Sequence, residues 1–246
     1  MYLGVRVAVV VPAHNESDLI SEVLRRMPAL VDQVVVVDDA SDDDTCARVR
    51  AFPSDRVLLV QHVVNRGVGA AIMTGYRVAR SGGAEVVAVM AGDDQMDPAD
   101  LEEVVRPVAQ GRADYVKGDR LHHPQVADMP WTRRIGSHLL TWMTRRAIGV
   151  DELSDSQCGY TAISGRAIDA LDLGSVWPRF GYPNDLLARI VGQGISTTQV
   201  VVRPVYKGER SELRPWHALT IMSVVIRAGW RAKRGPLTPA GSRAKP

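Results

Sequence analysis

The sequence predicts an α/β fold: a Rossmann-like, mostly parallel central sheet flanked by helices, with amphipathic helices at its periphery. Three observations predict it. Near-continuous valine runs recur along the first half, as strands buried on both faces require. Segments of helical period separate them. Two of the runs end abruptly in acid, Val34–Val37 in Asp38 and Asp39, and Val86–Ala91 in Gly92, Asp93 and Asp94. Carboxylates released at the carboxyl ends of parallel strands sit where open α/β sheets bind ligands. Hard oxygen ligands there suit Mg2+ or Mn2+ holding a phosphate.

Taken in order, residues 5–11 read as a buried strand and 17–27 as an amphipathic helix that Ser17 can cap. Residues 33–38 are a second strand, 42–50 a short helix whose start Asp42 to Asp44 cap and charge, and 56–61 a third strand. Residues 67–80 are helical despite their glycines, 85–90 a fourth strand, and 98–110 a helix with Asp97 as N-cap ahead of Pro98. Residues 114–117 make another strand. A polar loop, 121–130, contains His122 and His123, which lack partners at metal-ligand spacing. Then follow a long helix (131–148), a strand (159–164), a helix (183–191), a strand (195–202) and a last helix (215–234). Residues 235–246 read as a disordered basic tail.

Composition narrows the classes. The 246 residues carry a net charge of +2, unevenly spread. From Arg203 onward there are ten Lys and Arg against two Glu, so that end carries about +8 and the remainder about −6, which points to an anionic partner. Cys46 and Cys158 are the only cysteines, too few for a disulfide scaffold, so a reducing compartment is expected. Met1, Tyr2 and Leu3 lead directly into a strand without the order of a signal peptide, and no run reaches the ~18 apolar residues that span a bilayer. The expected location is cytoplasmic, with peripheral contact at the cytoplasmic face of a membrane.

The first turn, Pro12-Ala13-His14-Asn15-Glu16-Ser17, is not a dinucleotide fingerprint, and P-loop and nucleophile-elbow signatures are absent. Asn65-Arg66-Gly67-Val68-Gly69-Ala70-Ala71 follows the third strand. Its small residues let a helix N-terminus approach a ligand closely, with Arg66 facing phosphate.

Jointly these turns resemble the family 2 glycosyltransferases, and within them the dolichyl- and polyprenyl-phosphate sugar synthases. The resemblance runs through Gly92-Asp93-Asp94-Gln95-Met96-Asp97-Pro98, Gly118-Asp119-Arg120, Ser154 to Tyr160 and Gly181-Tyr182-Pro183-Asn184-Asp185, and covers roughly residues 5–215. It implies a GT-A fold, a nucleotide-sugar donor, a divalent metal (Mg2+ or Mn2+) and inversion at the anomeric carbon. It divides the chain into a transferase domain (1–215), with a nucleotide-sugar half (1–118) and an acceptor half (119–215), followed by an amphipathic helix and basic tail (216–246).

Carried over by position, Pro12, Ala13, Asn15, Glu16 and Gly92 line the nucleotide, and Asp39 contacts base or ribose. Asp93 is the second acid of the family's D-x-D motif, with Gln95 near the metal. Arg120 faces the pyrophosphate or the acceptor phosphate. The first acid of the motif falls on Ala91; Asp94 is an extra carboxylate that can compensate as a ligand. On the acceptor side, Asp155 and Gln157 are candidates to touch sugar or acceptor. If the acceptor is a sugar hydroxyl a base is required, and Asp185 or Asp155 is the candidate; a helix cap is the other reading of Asp185 and a structural turn that of Asp155. Lys207, Arg210 and Arg214 can neutralise phosphate.

The helix at 131–148 carries four Arg and no acid, with Ile135, Leu139, Trp142 and Met143 at helical spacing. It fits either a bilayer interface or ordinary packing with a solvated basic face. The last helix poses the same choice. No nucleic-acid motif accompanies the basic residues, and a homo-oligomer is left open. The leading function is hexose transfer from a UDP- or GDP-sugar to a polyprenyl phosphate. Its competitors are a soluble acceptor and, because of Ala91, a catalytically impaired binding protein.

Overall fold

Valine-rich segments become strands, and each strand end delivers a loop to one edge of the sheet. The computed structural model describes residues 1–206 and 215–232. The strands are β1 (Val7–Ala13), β2 (Gln33–Asp38), β3 (Val57–Gln61), β4 (Val86–Val89), β5 (Tyr115–Asp119), β6 (Thr161–Ser164) and β7 (Thr197–Val201). The helices are α1 (Ile20–Arg25), α2 (Thr45–Arg50), α3 (Val68–Ser81), α4 (Leu101–Ala109), α5 (Trp131–Ile148), α6 (Gly165–Ala170), α7 (Tyr182–Gly192) and α8 (Pro215–Ala232). One sheet holds all seven strands in the order β3-β2-β1-β4-β6-β5-β7. Only β6 runs antiparallel, between β4 and β5.

β1 is buried along its whole length, with Val7, Val9 and Val11 on one face and Ala8 and Val10 on the other. The first set packs with Ile20, Val23 and Leu24 of α1 and Leu101, Val104 and Val105 of α4. The second packs with Ile72, Met73 and Tyr76 of α3 and Leu186, Leu187 and Ile190 of α7. Each fully buried Val contributes roughly 1.5–3 kcal/mol, which explains why the central strands tolerate so little polarity.

The connections run from β1 outward through β2 to β3, then return across β1 to β4. The strand order therefore reverses between β1 and β4, and ligand crevices form at such a switch point, outside the carboxyl ends.

Several elements depart from the sequence expectation. α1 starts at Ile20 behind Leu19, with no side-chain cap; the Ser17 N–H instead donates to Asp43 at 3.0 Å. The stretch read as one helix from Pro98 begins as a single 3-10 turn, Pro98–Asp100, and becomes α4 at Leu101. Asp97 does cap it, accepting from the Ala99 N–H. α6 was not anticipated; it is short, and Ser164 caps it by accepting from the Ala167 N–H at 3.1 Å. α8 packs along α7 and α5 with Ile221, Val224 and Val225 buried, so packing against the core accounts for its apolar side. Lys207, Arg210, Arg214 and the tail at 235–246 lie outside the described residues.

Candidate active site

Three loops meet at the switch point. The Gly92 N–H donates to the Pro12 carbonyl at 3.2 Å, and the Asp39 N–H donates to the Ala13 carbonyl at 2.8 Å. A Cβ on Gly92 would stand 3.3 Å from the Pro12 oxygen and 3.4 Å from the Glu16 Cγ, so the loop after β4 lies directly on the turn after β1. Asn15 ties in the loop after β2: its N–H donates to Ser41 Oγ and its Oδ1 accepts from the Asp42 N–H. The Glu16 N–H donates to Thr45 Oγ1. Pro12, Ala13, Asn15, Glu16, Asp39 and Gly92 are thus brought together.

Asn15, Ala40 and Asp94, one in each loop, hold positive φ (58°, 61° and 55°). Non-glycine residues in this region are strained, and such strain gathers at functional sites.

Beside this junction lies a cleft lined by Asp93, Gln95 and Met96 together with Arg120, Cys158, Gly159, Tyr160, Arg203 and Tyr206. Asp93 Oδ1 accepts from the Gln95 N–H at 3.1 Å, which folds the turn so that both residues face the cleft. Asp93 is its only carboxylate among the described residues.

Arg120 is held from behind. Its Nε and Nη2 donate to Asp155 at 2.8 and 3.2 Å, and Asp155 is wholly buried. The Gln157 and Cys158 N–H groups donate to the same carboxylate at 3.0 and 3.1 Å. Burial alone would raise the Asp155 pKa; the charge and hydrogen bonds of Arg120, with Lys117 behind, bring it below the usual carboxylate value. Lys117 is itself buried, its Nζ on the Cys158 carbonyl at 2.7 Å, and burial lowers its pKa. Burial pushes the Cys158 thiol up, which makes it a poor nucleophile.

Asp94, Asp155, Gln157 and Asp185 lie outside the cleft lining. Asp94 is buried and pairs with Arg26 at 2.7 Å. Asp185 is buried at the start of α7, where it accepts from the Trp177 N–H at 2.9 Å and from Arg189 at 3.0 Å. Of its two readings, the structural one matches this geometry. Asp155 anchors Arg120 and is not exposed to an acceptor. Gln157 donates to Ser156 Oγ and Asn184 Oδ1, outside the cleft lining.

Asp39 accepts from His62 and from the Arg66 and Gly67 N–H groups, at 2.7, 2.9 and 2.6 Å. Burial would raise its pKa, but these bonds hold it below the usual value. Three of about four lone-pair positions are used, which leaves room for one donor from a base or ribose. The Arg66 side chain is exposed and absent from the cleft. The glycines beside it serve packing: a Cβ on Gly69 would meet the Trp177 carbonyl at 2.5 Å, and the Ala70 N–H donates to the Pro178 carbonyl. The start of α3 is therefore covered by protein, not open to a phosphate.

Arg203 and Tyr206 were not singled out from sequence. Arg203 follows β7, which runs parallel to β5, so the same strand-end rule that drew attention to Asp93 applies to it. Its guanidinium pairs with Asp97 at 3.1 Å.

Residues 8–169 match the family described as Glycosyl transferase family 2. The chain belongs to glycosyltransferase family 2. This family 2 glycosyltransferase is 29% identical over 178 residues to the UDP-N-acetylglucosamine–dolichyl-phosphate N-acetylglucosaminyltransferase of Methanococcus voltae, covering 66% of this chain and 70% of the relative. It is 28% identical over 204 residues to the polyprenol monophosphomannose synthase of Mycolicibacterium smegmatis, covering 80% and 76%. Its fold superposes on glucosyl-3-phosphoglycerate synthase of Mycobacterium tuberculosis, crystallised with Mn2+, UDP-glucose and phosphoglyceric acid, with a TM-score of 0.69 at 20% identity, over 92% of this chain and 80% of the other. The family 2 enzyme thus has the expected GT-A fold. Among its described residues, no helix is long and apolar enough to cross a membrane.

Proposed function

We propose that this enzyme moves a hexose, with inversion, from a UDP- or GDP-sugar to a polyprenyl phosphate. The observation that carries the proposal is the composition of one cleft: among the described residues, its lining combines one carboxylate, Asp93, with two guanidinium-bearing residues, Arg120 and Arg203. Each side fits one substrate. The donor lies along the junction of Pro12, Ala13, Asn15, Glu16, Asp39 and Gly92, with its diphosphate toward Asp93. The acceptor's charge lies against the arginines.

Among the described residues, Asp93 is the one carboxylate of the cleft and is assigned to the donor side, while Asp155 is locked on Arg120 and Asp185 on Trp177 and Arg189, which leaves none of the three to deprotonate a hydroxyl. A phosphate monoester is already ionised near neutral pH. It needs positioning beside the anomeric carbon rather than a base. The acceptor in the archaeal relative's name, a dolichyl phosphate, and the product in the mycobacterial relative's name, a polyprenol monophosphomannose, agree with this.

Among the described residues, no three His, Cys, Asp or Glu side chains gather to hold a metal on their own. That fits a site of the Mg2+ type, in which one carboxylate and the substrate's phosphates share the ion. Asp93, with Gln95 beside it, would hold Mg2+ or Mn2+ together with the donor diphosphate, where the ion offsets the leaving group's charge.

The test supplies the purified protein with Mn2+ or Mg2+, labelled nucleotide sugars, and either polyprenyl phosphate or the matched polyprenol. Transfer to the phosphate alone is the expected result. Transfer to the alcohol, or no transfer and no nucleotide release with any donor, overturns it. A soluble phosphorylated acceptor is the second reading. It is favoured by the phosphoglyceric acid bound to the solved relative and by the same arginine pair. Activity on such an acceptor with none on lipid would establish it.

A further inference from the structure

α5 is built inside out. The residues it turns toward the core include Ser137, Thr141 and Thr144, whereas Trp131, Ile135, Leu139 and Trp142 are 68%, 57%, 55% and 61% exposed. The buried hydroxyls are not accidental. Thr141 accepts from the Ser156 N–H at 2.9 Å, and Thr144 donates to Asn184 Oδ1 at 2.9 Å, which fixes the helix in this rotation. At 100° per residue the four exposed apolar side chains fall within about 80° of arc, a single continuous stripe. A helix solvated on its outer side has no reason to bury threonine and expose tryptophan.

Charge says what covers the stripe. α5 carries Arg133, Arg134, Arg145 and Arg146 and no acid; Arg146 lies in the stripe and Arg134 flanks it with His138, all three exposed. Two tryptophans among leucine, isoleucine and arginine match the headgroup boundary of a bilayer. A second copy of the chain fits worse. A two-fold contact through one helix face would set these arginines against their own images and bury less than a stable dimer needs.

The opposite side of the same helix reaches the cleft: the Arg133 guanidinium, about 160° around the helix from the stripe, lies 5.1 Å over the ring of Tyr206, and Tyr206 lines the cleft.

We infer that the outer face of α5 docks on an anionic bilayer surface, with the cleft-lining contact of Arg133 on the opposite side of the same helix. The purpose of this docking rests on the lipid-phosphate reading above; the docking itself does not.

The test is co-sedimentation of the full chain with phosphatidylcholine vesicles, with and without phosphatidylglycerol, in the absence of nucleotide and acceptor. The chain is expected to bind the anionic vesicles and to release as salt rises. Leu139→Ser with Trp142→Ser lowers partitioning roughly tenfold or more. Arg134→Gln and Arg146→Gln each lower it about fivefold, the equivalent of ~1 kcal/mol per cation. All of these side chains are exposed, so circular dichroism and urea midpoints stay at wild-type values. Three outcomes overturn the inference: no binding to anionic vesicles at low salt, binding that the Leu139/Trp142 variant leaves intact, or a solution dimer that this variant dissociates. Sugar transfer measured separately in detergent keeps the two readings apart. Vesicle binding lost in the Leu139/Trp142 variant with its detergent activity intact supports the docking and leaves the acceptor assignment standing, whereas vesicle binding without transfer to any polyprenyl phosphate removes the acceptor assignment alone.

Discussion

Replacing Asp155 with Asn tests whether this carboxylate anchors Arg120 or acts on the substrate. The change keeps the shape and one oxygen for the Gln157 and Cys158 N–H groups, but removes the charge that faces Arg120 and Lys117. Breaking a buried pair typically costs about 3–5 kcal/mol. The Arg120 side chain is 24% exposed, so water recovers part of this, and about 2–3 kcal/mol is expected. For a chain of this size that lowers Tm by roughly 5–10 °C. Urea denaturation should show a lower midpoint at unchanged slope. Kinetically, a loosened Arg120 raises the acceptor KM more than it lowers kcat.

The pH dependence has a definite sign. The folded Asp155 carboxyl lies below the ordinary value of about 3.9, so its contribution is complete above that pH and is lost as pH falls through the lower folded value. The variant should lack that part of the acid limb. A variant as stable as wild type with kcat reduced by orders of magnitude would refute the anchoring role and make Asp155 a base.

Asp93→Asn should lower turnover at least about a hundredfold while leaving the unfolding midpoint near wild type, and chelation by EDTA should do the same reversibly. Arg203→Gln removes one of the two cations of the cleft and should raise acceptor KM about tenfold with donor KM unchanged; equal effects on both would place Arg203 on the donor. Gly69→Ala forces a methyl against the Trp177 carbonyl and Tyr182, costing roughly 1–3 kcal/mol by thermal unfolding. A neutral result there would mean that the 177–179 loop yields easily.

The parallel core was legible because a strand buried on both faces has few options besides valine, and β1, β2 and β4 show that constraint plainly. The junction of Pro12, Asp39 and Gly92 was legible for the same reason: strand ends in one parallel sheet share an edge. What each carboxylate does there was not. Asp93 and Asp94 are adjacent and chemically equal, and only the left-handed turn at Asp94, together with Arg26 just after α1, separates a cleft residue from a buried ion pair. The glycines after β3 misled because a close approach to protein and a close approach to phosphate require the same missing Cβ. The rotation of α5 escaped sequence reading as well, since periodicity locates an apolar stripe without saying which side faces the core.

The most direct measurement is anomalous diffraction from crystals grown with Mn2+ and a UDP- or GDP-sugar. A manganese peak about 2.1 Å from the Asp93 carboxylate, shared with both phosphates of a nucleotide lying along Pro12, Asn15 and Asp39, is the expected result. A nucleotide bound elsewhere, or manganese held by Asp94 or Asp185 with Asp93 uninvolved, would contradict it.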